Sequence, residues 1–129
     1  MSRPIRVLDT GALLGYARQT DSHIPYQLAF CADENMTMQT SALCVAEAYR
    51  DCDTDAADLL DIMLSLPTME IAEFRVEDAD VVGNIAKKVD RISLAHSCVL
   101  VWQFDAPLLT TDGRKAAKVL ESGLVWDLN

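Results

Sequence analysis

Residues 5–17 have the sequence IRVLDTGALLGYA, in which the spacing of the apolar side chains changes at Asp9. Residues 5–8 form a short continuous apolar run of the kind that makes a buried strand. From residue 10 to residue 18 the apolar side chains recur at helical spacing instead. This stretch therefore predicts a strand that leads directly into a helix, with an acid at the junction.

The same alternation continues along the rest of the chain. Ser41, Thr54 and Ser93 are predicted to cap three of the helices. Strands that alternate with helices need crossover connections, which gives a mainly parallel sheet covered by helices on both faces. We predict an α/β fold in which residues 1–129 form a single three-layer α/β/α domain. The predicted strands are 5–8, 36–39, 69–74, 107–110 and 124–126, and the predicted helices are 10–18, one beginning near Pro25, 42–50, 54–66, 77–89, 94–104 and 114–121.

Composition indicates a chain that can fold on its own. It has 129 residues, of which 50% are apolar, enough for one core without disulfides or structural metals. None of its apolar runs approaches the ~20 residues that span a bilayer, and the first ten residues do not resemble a secretory signal. We therefore expect a cytoplasmic protein with no membrane association. The spacing of its four cysteines matches neither a disulfide framework nor a zinc site.

The charge balance constrains the function. The chain has 11 Lys and Arg against 20 Asp and Glu, a formal charge of -9, which repels nucleic acid unless local basic residues or bound cations offset it. Between Arg50 and Arg75 there are acids but no Lys or Arg. This acidic stretch is either a solvated surface or a docking site for a basic partner segment.

Three acids are candidates for a site. Asp9 and Asp112 each follow a predicted strand, and ligands of parallel sheets bind beyond the strand ends. Each of these two could equally be a helix N-cap. Glu47 lies among apolar residues of a predicted helix, where it is either part of a cation site or paired with Arg50. Carboxylate oxygens are the ligands that Mg²⁺ and Mn²⁺ prefer, so three acids together favour a divalent cation site.

These residues lie in three motifs, VLDTGALLGYA, TSALCVAEAYRD and SLAHSCVLVWQFDAPLLTTDGRKA, whose order and content resemble the PIN domain. That family is a small α/β nuclease fold and includes the ribonuclease toxins of bacterial toxin-antitoxin pairs. The resemblance implies an Mg²⁺ or Mn²⁺ cofactor, RNA as substrate, an antitoxin or other protein partner, and a homodimer. It also implies that Asp9, Glu47 and Asp112 are the first, second and fourth family acids and bind the metal, with Ser41 and Thr111 as supporting polar residues.

The chain departs from the family pattern at the third acid. The segment SLAHSC stands where the family has one resembling SLGDAL, so that His96 takes the place of the acid. His96 could be a metal ligand, which would favour Mn²⁺ over Mg²⁺. Alternatively, it could act as a hydrogen-bonding or proton-transfer group beside a metal site of reduced charge. The third alternative is a packed histidine in a domain that has lost activity.

The function implied by the resemblance is a metal-dependent endoribonuclease that hydrolyses RNA phosphodiesters, with the toxin of a toxin-antitoxin pair as one candidate role. Asp9, Glu47, Asp112 and His96 would form its catalytic site, and Arg114 and Lys115 would contact substrate phosphates. The alternative for the two basic residues is an ordinary solvated helix face. For the whole chain, the alternative is a catalytically impaired PIN-fold interaction or regulatory module.

Overall fold

The computed structural model describes residues 4–129, and the first three residues of the predicted domain lie outside the described part. Its strands are β1 (Pro4–Leu8), β2 (Thr37–Ser41), β3 (Met69–Ala72), β4 (Leu108–Thr110) and β5 (Val125–Asp127). They form one parallel sheet in the order β3-β2-β1-β4-β5. The α-helices are α1 (Thr10–Ala17), α2 (His23–Asp33), α3 (Ala42–Asp51), α4 (Thr54–Leu64), α5 (Ala79–Val89), α6 (Ile92–Phe104) and α7 (Gly113–Ala116), with 3-10 turns at Val76–Asp78 and Ser122–Leu124.

Helices cover both faces of the sheet because successive strand residues point to opposite sides. Leu8 and Leu109 pack with α1 to α4 in one hydrophobic core. Val7 and Leu108, their neighbours along the strands, pack with α5, α6 and α7 in a second core. This confirms the predicted three-layer α/β/α architecture.

Several helix boundaries differ from the prediction. The helix predicted for residues 114–121 ends as an α-helix at Ala116. Asp53, and not Thr54, caps α4, because its carboxylate accepts the Ala56 N–H at 2.8 Å. Ser93 lies inside α6 and not at its cap, since this helix begins at Ile92. The predicted cap at Ser41 is confirmed by its bond from the Leu43 N–H.

The strand order places a ligand crevice at one end of the sheet. From β1 the chain moves to β2 and β3 on one side and to β4 and β5 on the other, so the order reverses between β1 and β4. Leu8 is in register with Thr40 of β2 and with Leu109 of β4. The residues that follow these three positions therefore lie together at the carboxyl edge of the sheet, where parallel α/β folds bind ligands.

The described helices are short, and the cysteines are free thiols. Among the helices of residues 4–129, none is long and apolar enough to cross a bilayer. Cys31, Cys44 and Cys98 are buried as free thiols, and Cys52 is partly buried. The cysteines thus contribute to packing, as their apolar neighbours predict.

Candidate active site

Asp9 caps a helix, one of the two roles that the sequence left open, and it also contacts the end of β4. Its Oδ1 accepts the Ala12 N–H at 3.0 Å and so caps α1. Its Oδ2 accepts a short hydrogen bond from the Thr110 hydroxyl. The residue is only 4% exposed. A buried carboxylate therefore closes the start of α1 and joins the end of β1 to the end of β4.

The surroundings make the negative charge of Asp9 unfavourable. Burial raises its pKa from 3.8 to about 6, although the hydrogen bonds from Thr110 and Ala12 oppose the rise. The nearby Asp112 carboxylate raises the pKa further, and the Arg91 guanidinium lowers it. A buried carboxylate thus lies close to a second, partly exposed one, an arrangement that a cation would stabilise.

Thr110 connects Asp9 to Asp112. While its hydroxyl donates to Asp9, the same Oγ1 accepts the Asp112 N–H at 2.7 Å. Thr111, the supporting residue suggested by the family resemblance, lies against Gly11 instead, and its carbonyl accepts an Asn129 side-chain N–H at 2.6 Å. The hydroxyl that holds the first acid therefore comes one residue earlier than predicted.

Glu47 joins the same cluster through two hydroxyl groups. Its Oε1 accepts the Thr10 hydroxyl at 2.7 Å and the Ser93 hydroxyl at 2.6 Å. The alternative pairing with Arg50 is wrong, because Arg50 binds the neighbouring Asp51 at 2.9 Å. Hydrogen bonds thus link Glu47 to the residue that follows Asp9 and to the first turn of α6. We call Asp9, Glu47 and Asp112 the carboxylate cluster.

A basic residue that the sequence analysis missed contacts this cluster. Arg91, immediately before α6, lies 3.2 Å from Asp112 through Nη1 and Oδ2, and both side chains are partly exposed. It is 21 residues from Asp112 along the chain, so no local spacing signals the pair. Only the fold brings the start of α6 to the end of β4.

His96 lies beside the carboxylate cluster and not within it. Its Nδ1 is 2.6 Å from the Ser41 Oγ, and its ring meets Phe74 edge-on at 5.3 Å. Burial lowers its pKa, against the opposing effect of the Asp78 carboxylate. In the hydrogen bonding of residues 4–129, nothing joins the His96 ring to an acid of the cluster.

The α6 residue that does contact the cluster is Ser93, one helical turn before His96. Ser93 carried no signal as a site residue, since serine near a helix start predicts a cap. Ser41, predicted as a support for the acids, instead caps α3 and holds His96. The supporting hydroxyls around the acids are those of Thr10, Ser93 and Thr110.

The two basic residues predicted to contact phosphate follow the cluster directly. Arg114 is exposed and Lys115 is half-buried, both in the short helix α7 that begins after Asp112. Both residues therefore lie near the carboxyl edge of the sheet, and their contact with phosphate stays a prediction.

The donors available for a metal are hard oxygens. Over the described range 4–129, no group of three or more His, Cys, Asp or Glu side chains is arranged to hold a metal ion. Two carboxylates, Asp9 and Asp112, are nevertheless close enough for one charge to affect the pKa of the other. Protein sites for Mg²⁺ commonly use one or two carboxylates, with water and substrate phosphates completing the coordination.

Comparison with known proteins gives a structural match. No protein-family model matches the chain, and no curated protein matches it significantly. Solved structures do match, among them a chain of VapBC2 from Rickettsia felis, a complex crystallised bound to a DNA fragment from their promoter. The superposition has a TM-score of 0.67 at 16% identity and covers 96% of this chain and 98% of the other. At this identity the likeness establishes the fold alone, and the chain has the PIN-like three-layer α/β/α fold that its motifs predict.

Proposed function

We propose that this protein is a PIN-type endoribonuclease that hydrolyses RNA phosphodiesters with Mg²⁺ or Mn²⁺ at the carboxylate cluster. One observation carries the proposal: the buried Asp9 carboxylate is joined through Thr110 to Asp112 at the reversal point of the sheet. Burying a carboxylate beside a second one is costly. A bound cation would offset this cost, whereas capping of a helix does not require a second carboxylate nearby.

The chemistry of the donors fits a divalent cation. Asp9 and Asp112 supply carboxylate oxygens, and the raised pKa of Asp9 shows that its charge is incompletely compensated by the protein. With two protein carboxylates the ion would keep several ligand positions for water and phosphate. When bound, such an ion polarises the phosphate and lowers the pKa of a coordinated water.

The protein's own groups would position and orient these components. Asp9 and Asp112 would hold the ion, with Thr110 fixing the Asp9 carboxylate and the Asp112 backbone. Glu47 accepts hydroxyls only at Oε1 among the described bonds, so that its second oxygen could orient a water or bind the ion. Thr10 and Ser93 would keep this side chain in place.

Substrate phosphates would be met by the basic residues at the same edge. Arg114 and Lys115 follow Asp112 in α7 and could attract the RNA backbone against the overall charge of -9. His96 would act through Ser41 on the end of β2, because its described hydrogen bond goes to that hydroxyl. We therefore propose a supporting role for His96 next to the catalytic carboxylates.

The partners implied by the fold also belong to this proposal. The structurally similar chain comes from a VapBC2 complex on promoter DNA. By analogy we propose that this chain acts as the toxin of a toxin-antitoxin pair and binds an antitoxin-like protein. A homodimer through exposed apolar side chains such as Tyr26 and Ile62 is a further proposal.

Cleavage of a mixed-sequence single-stranded RNA tests the nuclease function. We expect cutting with Mn²⁺ or Mg²⁺ and none with chelator. Asp112→Asn should reduce the rate by about 100-fold, because the variant loses a metal ligand. Asp58→Asn, which makes the same charge change at an exposed position of α4, should cut RNA like the wild type. Equal cutting by wild type and Asp112→Asn would contradict the assignment of the site.

A second candidate function is a non-catalytic PIN-fold interaction module. The ion pair between Arg91 and Asp112 favours it, because a guanidinium already neutralises part of the cluster. Ser93 favours it as well, since the α6 residue that touches Glu47 is uncharged. Absence of RNA cleavage with every metal, in protein shown to be folded, would select this candidate.

A further inference from the structure

Arg91 is a basic residue whose position next to the carboxylate cluster has an electrostatic cost. It directly precedes α6, a helix of 13 residues with no acid in its first turn. The backbone N–H groups at the start of a helix give that end a partial positive charge, which opposes a cation there. The Arg91 side chain also forms no cap bond with the helix. The stability of α6 therefore does not explain an arginine at this position.

The backbone of Arg91 is held in place, whereas its side chain is accessible. Only two residues, Asp90 and Arg91, connect α5 to α6. The Asp90 N–H donates to the Ala86 carbonyl at the end of α5, and the Arg91 carbonyl accepts the Ala95 N–H of α6 at 3.0 Å. The Arg91 side chain is 41% exposed. A guanidinium that reaches solvent is thus anchored at a fixed point beside the cluster.

The contact between Arg91 and Asp112 is of a kind that a divalent cation displaces. A single pair of atoms, Nη1 and Oδ2, meets at 3.2 Å, and the Asp112 side chain is 31% exposed. Exposed ion pairs with one such contact contribute little to stability, because water competes for both groups. A divalent cation has twice the charge of the guanidinium and interacts more strongly with a carboxylate. Cation binding at Asp112 would therefore leave Arg91 without this partner.

Two further acids interact electrostatically with Arg91, and both are already engaged. Asp51 accepts two N–H groups of Arg50 at 2.9 and 3.1 Å, and this interaction is the main reason for its lowered pKa, to which Arg91 adds. Asp9 is buried, and both of its oxygens accept hydrogen bonds within the protein. A guanidinium released from Asp112 would therefore face solvent beside the cluster, where a substrate phosphate would lie under the proposed function.

We propose that Arg91 exchanges partners, from Asp112 in the cation-free protein to a phosphate of single-stranded RNA when a divalent cation occupies the carboxylate cluster. A guanidinium suits this role because its planar N–H donors match two phosphate oxygens. Arg91 then contributes to RNA binding only with the ion present, where it offsets part of the overall charge of -9. This inference rests on the proposed function and adds a phosphate contact to those of Arg114 and Lys115.

Calorimetric titration with Mn²⁺ tests the first half of the exchange. Arg91→Gln removes the competing guanidinium, so this variant should bind Mn²⁺ about threefold more tightly than the wild type. A residue that merely supported the site would give the opposite result, because its loss would weaken Mn²⁺ binding. Lys88→Gln removes one charge from an exposed position of α5 and should bind Mn²⁺ like the wild type. Weaker or unchanged Mn²⁺ binding by Arg91→Gln would overturn the inference.

RNA affinity with and without Mn²⁺ tests the second half. The probe is a fluorescent, fully 2′-O-methylated single strand, whose binding is followed by anisotropy and whose integrity is checked on a denaturing gel. Arg91→Gln should weaken its binding about tenfold with Mn²⁺ and about twofold or less in chelator. Lys88→Gln should change the affinity by the same factor in both conditions. Equal losses for Arg91→Gln in both conditions would show that Arg91 does not exchange partners.

A second substitution and the cleavage assay separate the ways in which the proposals could fail. Arg91→Lys keeps the charge but loses the planar donors, so it should bind RNA about threefold more weakly with Mn²⁺, and it serves if Arg91→Gln does not fold. If only the exchange is wrong, the wild type still binds Mn²⁺ and cuts unmodified RNA. If only the nuclease assignment is wrong, cutting is absent while the binding differences remain. If neither the wild type nor Arg91→Gln binds Mn²⁺, both proposals are wrong.

Discussion

Asp9 has a carboxyl group whose burial should make folding stability depend on pH. Its pKa is 3.8 when unperturbed and about 6 in the folded protein. Between these values the folded protein keeps a proton that the unfolded chain releases, so stability falls as pH rises through this window. The full effect is on the order of 3 kcal/mol.

Asp9→Asn should remove this dependence. The amide keeps a cap for α1 but cannot ionise, although it loses the acceptor for the Thr110 hydroxyl. Relative to the wild type, the free energy of unfolding of the variant should rise by about 2 kcal/mol between pH 4 and pH 7. Urea unfolding in the presence of chelator measures this difference. Asp58→Asn is the exposed control, and a pH-independent difference for Asp9→Asn would show that Asp9 is not perturbed.

Ser93 and His96 give opposite expectations when each is replaced by an acid. Ser93→Asp places a carboxylate next to Glu47, so the protein should be less stable in chelator and should bind Mn²⁺ about tenfold more tightly. His96→Asp buries a carboxylate against Ser41 and Phe74, so it should lose stability without gaining Mn²⁺ affinity. Calorimetric titration with Mn²⁺ compares the two. A gain in affinity only for His96→Asp would place the third acid where the sequence motif put it.

Individual acids could be predicted from the sequence because each follows a recognisable strand or interrupts an apolar helix. Asp9, Glu47 and Asp112 are predicted in this way. In the structure Thr110 hydrogen-bonds to Asp9 and to the Asp112 N–H, and Thr10, the neighbour of Asp9 in the chain, donates to Glu47. Their hydroxyl partners and Arg91 could not be predicted. Arg91 and Asp112 are 21 positions apart in the chain, and Thr110 and Asp9 are 101 positions apart. Such contacts depend on how the elements pack.

The junction of β1 and α1 contains a close approach between two elements. A Cβ on Gly11 would lie 1.8 Å from the Thr111 Oγ1 and 2.8 Å from its Cβ. Gly11→Ala should therefore push α1 away from the segment after β4, with a loss of about 1–3 kcal/mol in the free energy of unfolding. It should also disturb the spacing between Asp9 and Asp112.

Gly83→Ala is the matched control for this change. Gly83 lies within α5, and a Cβ there would meet nothing within 4 Å. Because alanine is the better helix former, this variant should gain about 0.5–1 kcal/mol. Chemical denaturation measures both variants. Equal effects of the two substitutions would argue against a tight contact at Gly11.

At the level of elements, the order of strands and helices followed from the change between two kinds of apolar spacing. The boundaries were less predictable where two residues compete for one position. Asp53 displaced Thr54 as the cap of α4, and α6 starts early enough to turn Ser93 toward Glu47. In both cases the neighbouring side chains of the folded protein decide between local alternatives.

The whole molecule has two groups of acids that could attract a divalent cation. The net charge of -9 is uneven, and residues 51–74 contain seven acids without a basic residue. Exposed acids of this kind attract cations diffusely, whereas Asp9 and Asp112 are joined at one edge of the sheet. The proposed function requires that a divalent cation binds more tightly at Asp9 and Asp112 than at these exposed acids.

The three-layer fold was predictable at this scale because strand and helix patterns alternate throughout the chain. The cavity lined by Gln39, Asp78 and His96 was not, since these residues come from β2, the segment after β3 and α6. Burial of Gln39 follows from the interior position of β2, which pairs with β1 on one side and with β3 on the other. No sequence pattern reports which polar side chain such a strand leaves unpaired.

Paramagnetic broadening by Mn²⁺ tests the cation site most directly. Small additions of Mn²⁺ to ¹⁵N-labelled protein weaken the amide signals nearest to the bound ion. We predict that the signals of Asp9, Thr10 and Asp112 disappear first, and that Asp112→Asn prevents this. Early broadening confined to residues 51–61, with the signals around Asp9 and Asp112 unchanged, would contradict a metal-dependent active site at the carboxylate cluster.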